Sequence, residues 1–190
     1  MEKLLFYLNS IYKLSPELEN FLKSVVKHRQ IKKKEFLLKA GQINKEISFI
    51  ESGLLHAFYL KEETEVSSWF LKEGDVIVSV ESFYDQKPSY EYIRALENTS
   101  IFYIDFSELQ FIYDNFMEFN YIGRVLTIKY LKIWTQQLYS IKMRSAEERY
   151  EWILQNHPEL LLRVPAKLIA SYLDLTAVTL SAVKHKIYKE

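Results

Sequence analysis

Cysteine is absent from this 190-residue chain. That absence excludes disulfides, thiolate zinc sites, cysteine-ligated iron–sulfur clusters and a cysteine nucleophile together. Net charge is missing too: 25 Lys and Arg balance 25 Asp and Glu. Whole-chain charge therefore predicts neither a polyanion binder nor an acidic carrier, and charge has to be read locally. Histidine is sparse; His28, His56, His157 and His185 are scattered without metal-ligand spacing. Long apolar runs are lacking as well. The N-terminal stretch is apolar at helical spacing, but Glu2, Lys3 and Lys13 interrupt it and no small-residue cleavage site follows. Neither a signal peptide nor a membrane span is expected, and the protein is expected to be cytoplasmic.

What is present is globular in texture. An apolar fraction of 48% and a charged fraction of 26% predict a packed core without disorder. The length suits one large domain or two small ones at roughly 100–200 residues per domain.

Three textures follow one another. Residues 1–30 are helical by pattern, with Leu4, Leu5, Leu8, Ile11 and Tyr12 at spacings of three and four, and Ser15-Pro16 opening a second helix over Glu17 to Val26. From 31 to about 105, short β-branched and aromatic runs alternate with turn signals. The runs are Glu35–Lys39, Ile47–Glu51, Leu54–Leu60, Val66–Leu71, Val76–Val80, Tyr90–Leu96 and Ile101–Ile104. Many short strands at this spacing predict a sandwich, barrel or roll. Helix returns after Ser107. Phe106 to Ser140 has no proline and one glycine, Gly123, which predicts one extended helix with a short lead-in.

That long helix is apolar on two faces. One stripe is Ile122, Leu126 and Ile133, interrupted by Lys129 and Gln136; the other is Val125, Ile128, Leu131, Trp134, Leu138 and Ile141. One face can cover the roll and the other meet a second copy. We place the dimer contact on Ile122, Leu126, Lys129, Ile133 and Gln136, where the polar pair would set register. A single-sided core helix is the plainer alternative.

At the C-terminal end, Glu147 to Asn156 reads as an amphipathic helix with Tyr150, Ile153 and Leu154 inward, broken by His157-Pro158. Val164-Pro165 opens a helix bearing Leu168, Ile169, Tyr172 and Leu173. Asp174-Leu175 turns, and Thr176 caps a last helix on which Val178 and Val183 are expected inward. Ala170 falls where the two helices approach closely. Two short helices joined by such a turn fit a helix-turn-helix, and equally an ordinary helical hairpin.

In this order, the chain resembles the Crp/Fnr family of transcription regulators from about residue 31 onward. LKAGQ (38–42), FIESGLLHAFY (49–59) and LKEGDVI (71–77) are similar to the family's glycine-turn repeats, and LIASYLDLTAVTLSAVKHKI (168–187) to its DNA-binding helices. The resemblance implies an α+β fold: an antiparallel β-roll, jelly-roll-like and of the cyclic-nucleotide-binding-domain type, followed by a long dimerisation helix and a helical helix-turn-helix domain. The expected domains are 1–106, 107–141 and 142–190. It also implies double-stranded DNA, a second copy of the chain, a small-molecule effector and RNA polymerase as partners, with no cofactor, metal, membrane or catalysis. DNA is expected on Lys167, Thr176, Ala177, Thr179, Leu180, Ser181, Lys184, His185 and Lys186.

The chain departs from the family where ligands are gripped. Cyclic-nucleotide-binding relatives hold the ribose with a Gly-Glu pair and the phosphate with an arginine followed by a small hydroxyl residue, because a buried anion needs a bidentate cation. The stretch 74–95 aligns without a gap and places Val78-Ser79 at the first pair, then Ser89 and Tyr90. Every charged contact is gone, so a cyclic nucleotide is not the expected effector. Trp69, Val78, Ser79, Glu81, Ser89, Tyr90 and Arg94 are the candidate pocket. Arg94 would have to swing inward, and the aromatics Trp69, Phe83, Tyr84, Tyr90 and Tyr92 could equally fill core space. Glu91 and Glu97 read as solvent-facing.

The reading helix departs too. Relatives place Arg or Glu where Ala177, Val178 and Ala182 stand, and these make no bidentate base contacts. Residues 142–190 hold eight basic side chains (Lys142, Arg144, Arg149, Arg163, Lys167, Lys184, Lys186, Lys189) against six acidic ones, a weak electrostatic footprint. No β-wing is expected after the last helix. A dimeric DNA-binding regulator unresponsive to cAMP is the leading reading. A sensor or protein-interaction module that has lost DNA binding is the alternative.

Overall fold

The structure, a computed structural model, describes residues 1–187. The chain divides into two compact units: Met1–Ala57 with Leu71–Lys129, and Phe58–Phe70 with the chain from Tyr130 onward.

The first unit opens with α1 (Glu2–Ile11) and α2 (Pro16–Val25). Ser15 caps α2 by accepting the Leu18 N–H at 3.2 Å, beside a proline that needs no hydrogen-bond partner in the first turn. The strands are β1 (Lys27–Ile31), β2 (Phe36–Leu38), β3 (Glu46–Ser52), β4 (Leu54–Lys61), β5 (Thr64–Lys72), β6 (Val76–Ile77), β7 (Tyr92–Ala95) and β8 (Thr99–Asp105). They form two four-stranded sheets in the orders β1-β8-β3-β6 and β2-β7-β4-β5, an antiparallel jelly roll. β1 lies in the segment read as helix. Its sequence KHRQI has no apolar alternation, and its strand state comes from pairing with β8, Lys27 opposite Tyr103 through Ile31 opposite Thr99. Gly53 makes the β3–β4 turn with φ +104°, and a Cβ there would lie 2.4 Å from Thr99 Oγ1.

Between β6 and β7 lies a short helix, α3 (Val80–Asp85), that the strand pattern missed. Phe83 anchors it, fully buried with its ring edge-on to Phe106 at 5.2 Å. α4 (Phe106–Asn115) follows with a capping box between Asp105 and Glu108, and then α5 (Met117–Met143). Leu18, Leu22, Phe83, Ile112 and Ile122 centre the core of this unit. Burying each such side chain contributes roughly 1.5–3 kcal/mol.

The second unit comprises the outer halves of β4 and β5, the rest of α5, α6 (Ala146–Asn156), α7 (Pro158–Arg163), α8 (Ala166–Tyr172) and α9 (Ala177–Ile187). Its division from the first falls inside α5, and it takes in the ends of β4 and β5 that adjoin their turn. The reason is contact: Ser171 Oγ accepts the Ser67 N–H at 2.9 Å and donates to the Glu65 carbonyl at 3.1 Å. Gln137 donates to the Ser68 carbonyl, and Phe70 packs edge-on to Tyr172 at 5.3 Å. Ser145 and Glu148 form a capping box on α6. Tyr150, Ile153, Leu168, Ile169, Ala170, Leu180 and Val183 are buried here.

Candidate nucleic-acid interface and effector site

α8 and α9 are bent 97° from one another across the turn between Tyr172 and Ala177. The turn closes on itself: the Leu175 N–H donates to Ala170 O at 2.9 Å, and Asp174 sits at φ +53°. Ala170 is buried where the helices meet, so a larger side chain would push them apart. Thr176 caps α9, accepting the Thr179 N–H at 3.1 Å, and its hydroxyl lies 2.8 Å from that of Thr179.

Arg149, on α6, pins the turn from behind. Its Nη1 donates to Leu173 O at 2.7 Å and to Asp174 O at 3.4 Å. Sequence reading counted Arg149 only as a basic residue, since its partners are backbone carbonyls that leave no sequence trace.

Packing against α6 and α8 sets the phase of α9, and the phase corrects the outer face. Leu180, expected against DNA, is buried at 2% exposure, whereas Val178, expected inward, is 80% exposed. At 100° per residue, 180, 183 and 187 share one side and 178 lies opposite. The outward residues are Ala177, Val178, Ser181, Ala182, His185 and Lys186, while Thr179 is half-buried. Lys184 lies over the Tyr150 ring, 5.7 Å from its centroid, and Lys186 pairs with Glu147 at 3.4 Å. Lys167 is exposed on α8. Lys189 lies outside the described residues. No acidic residue occurs on α9.

The candidate effector residues differ in their surroundings. Ser79 and Ser89 are both buried, with their hydroxyls 3.0 Å apart. Asn44 Oδ1 accepts the Ser79 N–H at 2.7 Å, and Ser89 Oγ accepts the Glu91 N–H at 2.9 Å. Ser82 Oγ accepts the Asn44 N–H at 2.9 Å and donates to the Lys87 carbonyl. These polar groups satisfy one another, so the cassette is closed by its own residues.

Val78 is half-buried and packs against the core. Glu81 and Tyr90 are exposed and share a hydrogen bond of 2.6 Å, which raises the Tyr90 phenol pKa. Arg94 does not swing inward; it lies on the outer side of β7 over the Phe36 ring, 5.8 Å from its centroid. Glu91, expected to face solvent, is 9% exposed on the side of Ile93 and Ala95. Trp69 belongs to β5 in the second unit.

α5 also reverses an expectation. Ile122, expected at a partner contact, is fully buried in its own unit's core, and Leu126 packs on that core. Lys129 Nζ reaches Tyr7 OH at 3.2 Å and Asp75 at 3.9 Å. Ile133 is half-buried and Gln136 exposed. The exposed apolar stripe is the other one: Ile128, Leu131, Trp134 and Leu138.

One Ser–His–Glu grouping occurs on β1, β8 and β3. Ser100 Oγ donates to Glu51 at 2.7 Å, and His28 Nε2 lies 2.7 Å from the same oxygen. That bond holds the Glu51 pKa below its ordinary value. The serine hydroxyl is thus directed at the carboxylate, and its oxygen faces the imidazole. Among the described residues no group of three or more His, Asp or Glu could hold a metal ion. No single described helix is long and apolar enough to cross a membrane.

Residues 28–116 match the cyclic nucleotide-binding domain family. No curated protein matches the chain. Among solved structures, FixK2 from Bradyrhizobium japonicum superposes with a TM-score of 0.73 at 17% identity, over 87% of this chain and 85% of that one. A CooA mutant from Carboxydothermus hydrogenoformans gives 0.73 at 20% identity, over 97% and 84%. A Crp/Fnr-family transcriptional regulator from Eubacterium rectale gives 0.72 at 14% identity, over 96% and 87%. At these identities the likeness establishes a shared fold.

Proposed function

We propose that this chain is a dimeric, DNA-binding transcription regulator of the Crp/Fnr type that does not respond to cyclic nucleotides. The observation that carries the reading is the α8–α9 pair, bent by 97° over a short turn. That is the angle of a DNA-binding helix-turn-helix, whose second helix enters the major groove. Support comes from the order roll, long helix and helix pair shared with the regulators above, and from an outer face on α9 without acidic side chains. Insensitivity to cyclic nucleotides rests on the Ser79–Ser89 pair, which offers neither a cation to a phosphate nor a carboxylate to a ribose. Dimerisation runs along Ile128, Leu131, Trp134 and Leu138, apolar side chains exposed on one helix.

The test is affinity for random duplex DNA at low and moderate salt. Lys167, Lys184, Lys186 and His185 near phosphates give binding that weakens with salt, by a slope of about 0.9 per phosphate neutralised. Lys186 would leave Glu147 to do so, and exposed pairs of this kind hold only weakly. Absence of binding at low salt refutes the reading and leaves a sensor-type module whose partner is a protein.

A further inference from the structure

We infer that α9 recognises thymine methyl groups, so that the bound sites are A·T-rich where this helix meets the major groove. The inference rests on the DNA-binding reading above and deepens it. Base edges are read by the residues nearest the start of a recognition helix. On α9 those that face outward are Ala177, Val178, Ser181 and Ala182. Val178 is an apolar side chain left 80% exposed on a helix whose opposite side buries Leu180 and Val183.

α9 has no Arg, Asn, Gln, Asp or Glu, so lysine is the one bidentate reader it carries. Its lysines belong to the last turn, one on the Tyr150 ring and one paired with Glu147. The major-groove feature that valine and alanine complement is the thymine C5-methyl. Flanking lysines and the absence of an acidic side chain on the helix supply the charge complementarity that brings the backbone close.

The experiment selects the bound fraction from a pool of random-sequence duplexes and remakes it with deoxyuridine in place of thymidine. Deoxyuridine keeps pairing and removes only the methyl. A bound fraction enriched in A·T, and weakened about fourfold for each contacted methyl removed, supports the inference. Val178→Ala should lose affinity for the thymidine duplex and lose little further on the deoxyuridine duplex, because the two changes remove one contact. The position is exposed and alanine favours helix, so folding is not at stake. A bound fraction that is G·C-rich, or equal affinity for both duplexes, overturns thymine recognition and leaves DNA binding standing. No binding to either pool at low salt overturns both.

Discussion

Replacing Arg149 with alanine should destabilise the second unit by about 1.5–3 kcal/mol and weaken the DNA binding proposed above. The magnitude follows from the geometry. The side chain is 14% exposed, and its Nη1 donates to Leu173 O at 2.7 Å. That carbonyl belongs to the end of α8, where no helical donor remains to reach it. A hydrogen bond from a charged donor contributes about 1.5–3 kcal/mol. The second contact, to Asp174 O at 3.4 Å, is too long to add much. The Asp174 carboxylate lies 4.0 Å away and is 74% exposed, so the ion pair adds at most a few tenths of a kcal/mol. Asp174→Asn should therefore change stability by less than about 0.5 kcal/mol. Urea unfolding followed by tryptophan fluorescence isolates the effect, because Trp69, Trp134 and Trp152 all lie in the second unit. Equal losses for Arg149→Ala and Asp174→Asn would refute carbonyl capping as the role of the arginine.

Three further outcomes are expected. Leu131→Glu with Leu138→Glu should yield monomers by light scattering, whereas Ile122→Glu should unfold the first unit, since an unpaired buried charge costs several kcal/mol or more; a dimer surviving the double change excludes the outer stripe. Adding cAMP or cGMP should leave the melting midpoint unchanged, although a ligand at 100 times its Kd would add about 2.7 kcal/mol; a raised midpoint refutes the closed cassette. Burial pushes the Tyr172 phenol up to about 12, above its ordinary value near 10. The native state then holds this proton more tightly than the unfolded chain, so stability falls as pH rises from about 10 to 12. The change is up to about 2 kcal/mol. Tyr172→Phe keeps the ring against Phe70 and should flatten that limb, and identical alkaline slopes for both proteins would rule the titration out.

Much of the architecture was legible locally. Ser15-Pro16 marked the start of α2, Gly53 a turn, and Thr176 the cap of α9, because each is a short-range constraint that a few residue types satisfy. The absence of a charged side chain at positions 79 and 89 was equally plain, since charge is a property of residue type. Tertiary structure decided the rest, wherever two local solutions were nearly equal. KHRQI carries no strand pattern and became β1 only beside β8. Two apolar stripes ran along α5, and periodicity could not rank them; the roll took Ile122 and Leu126, and Leu131 and Leu138 were left outside. On α9 one position of phase exchanged Leu180 for Val178. Spacing specifies how side chains are grouped on a helix, and packing against α6 and α8 selects which group is buried.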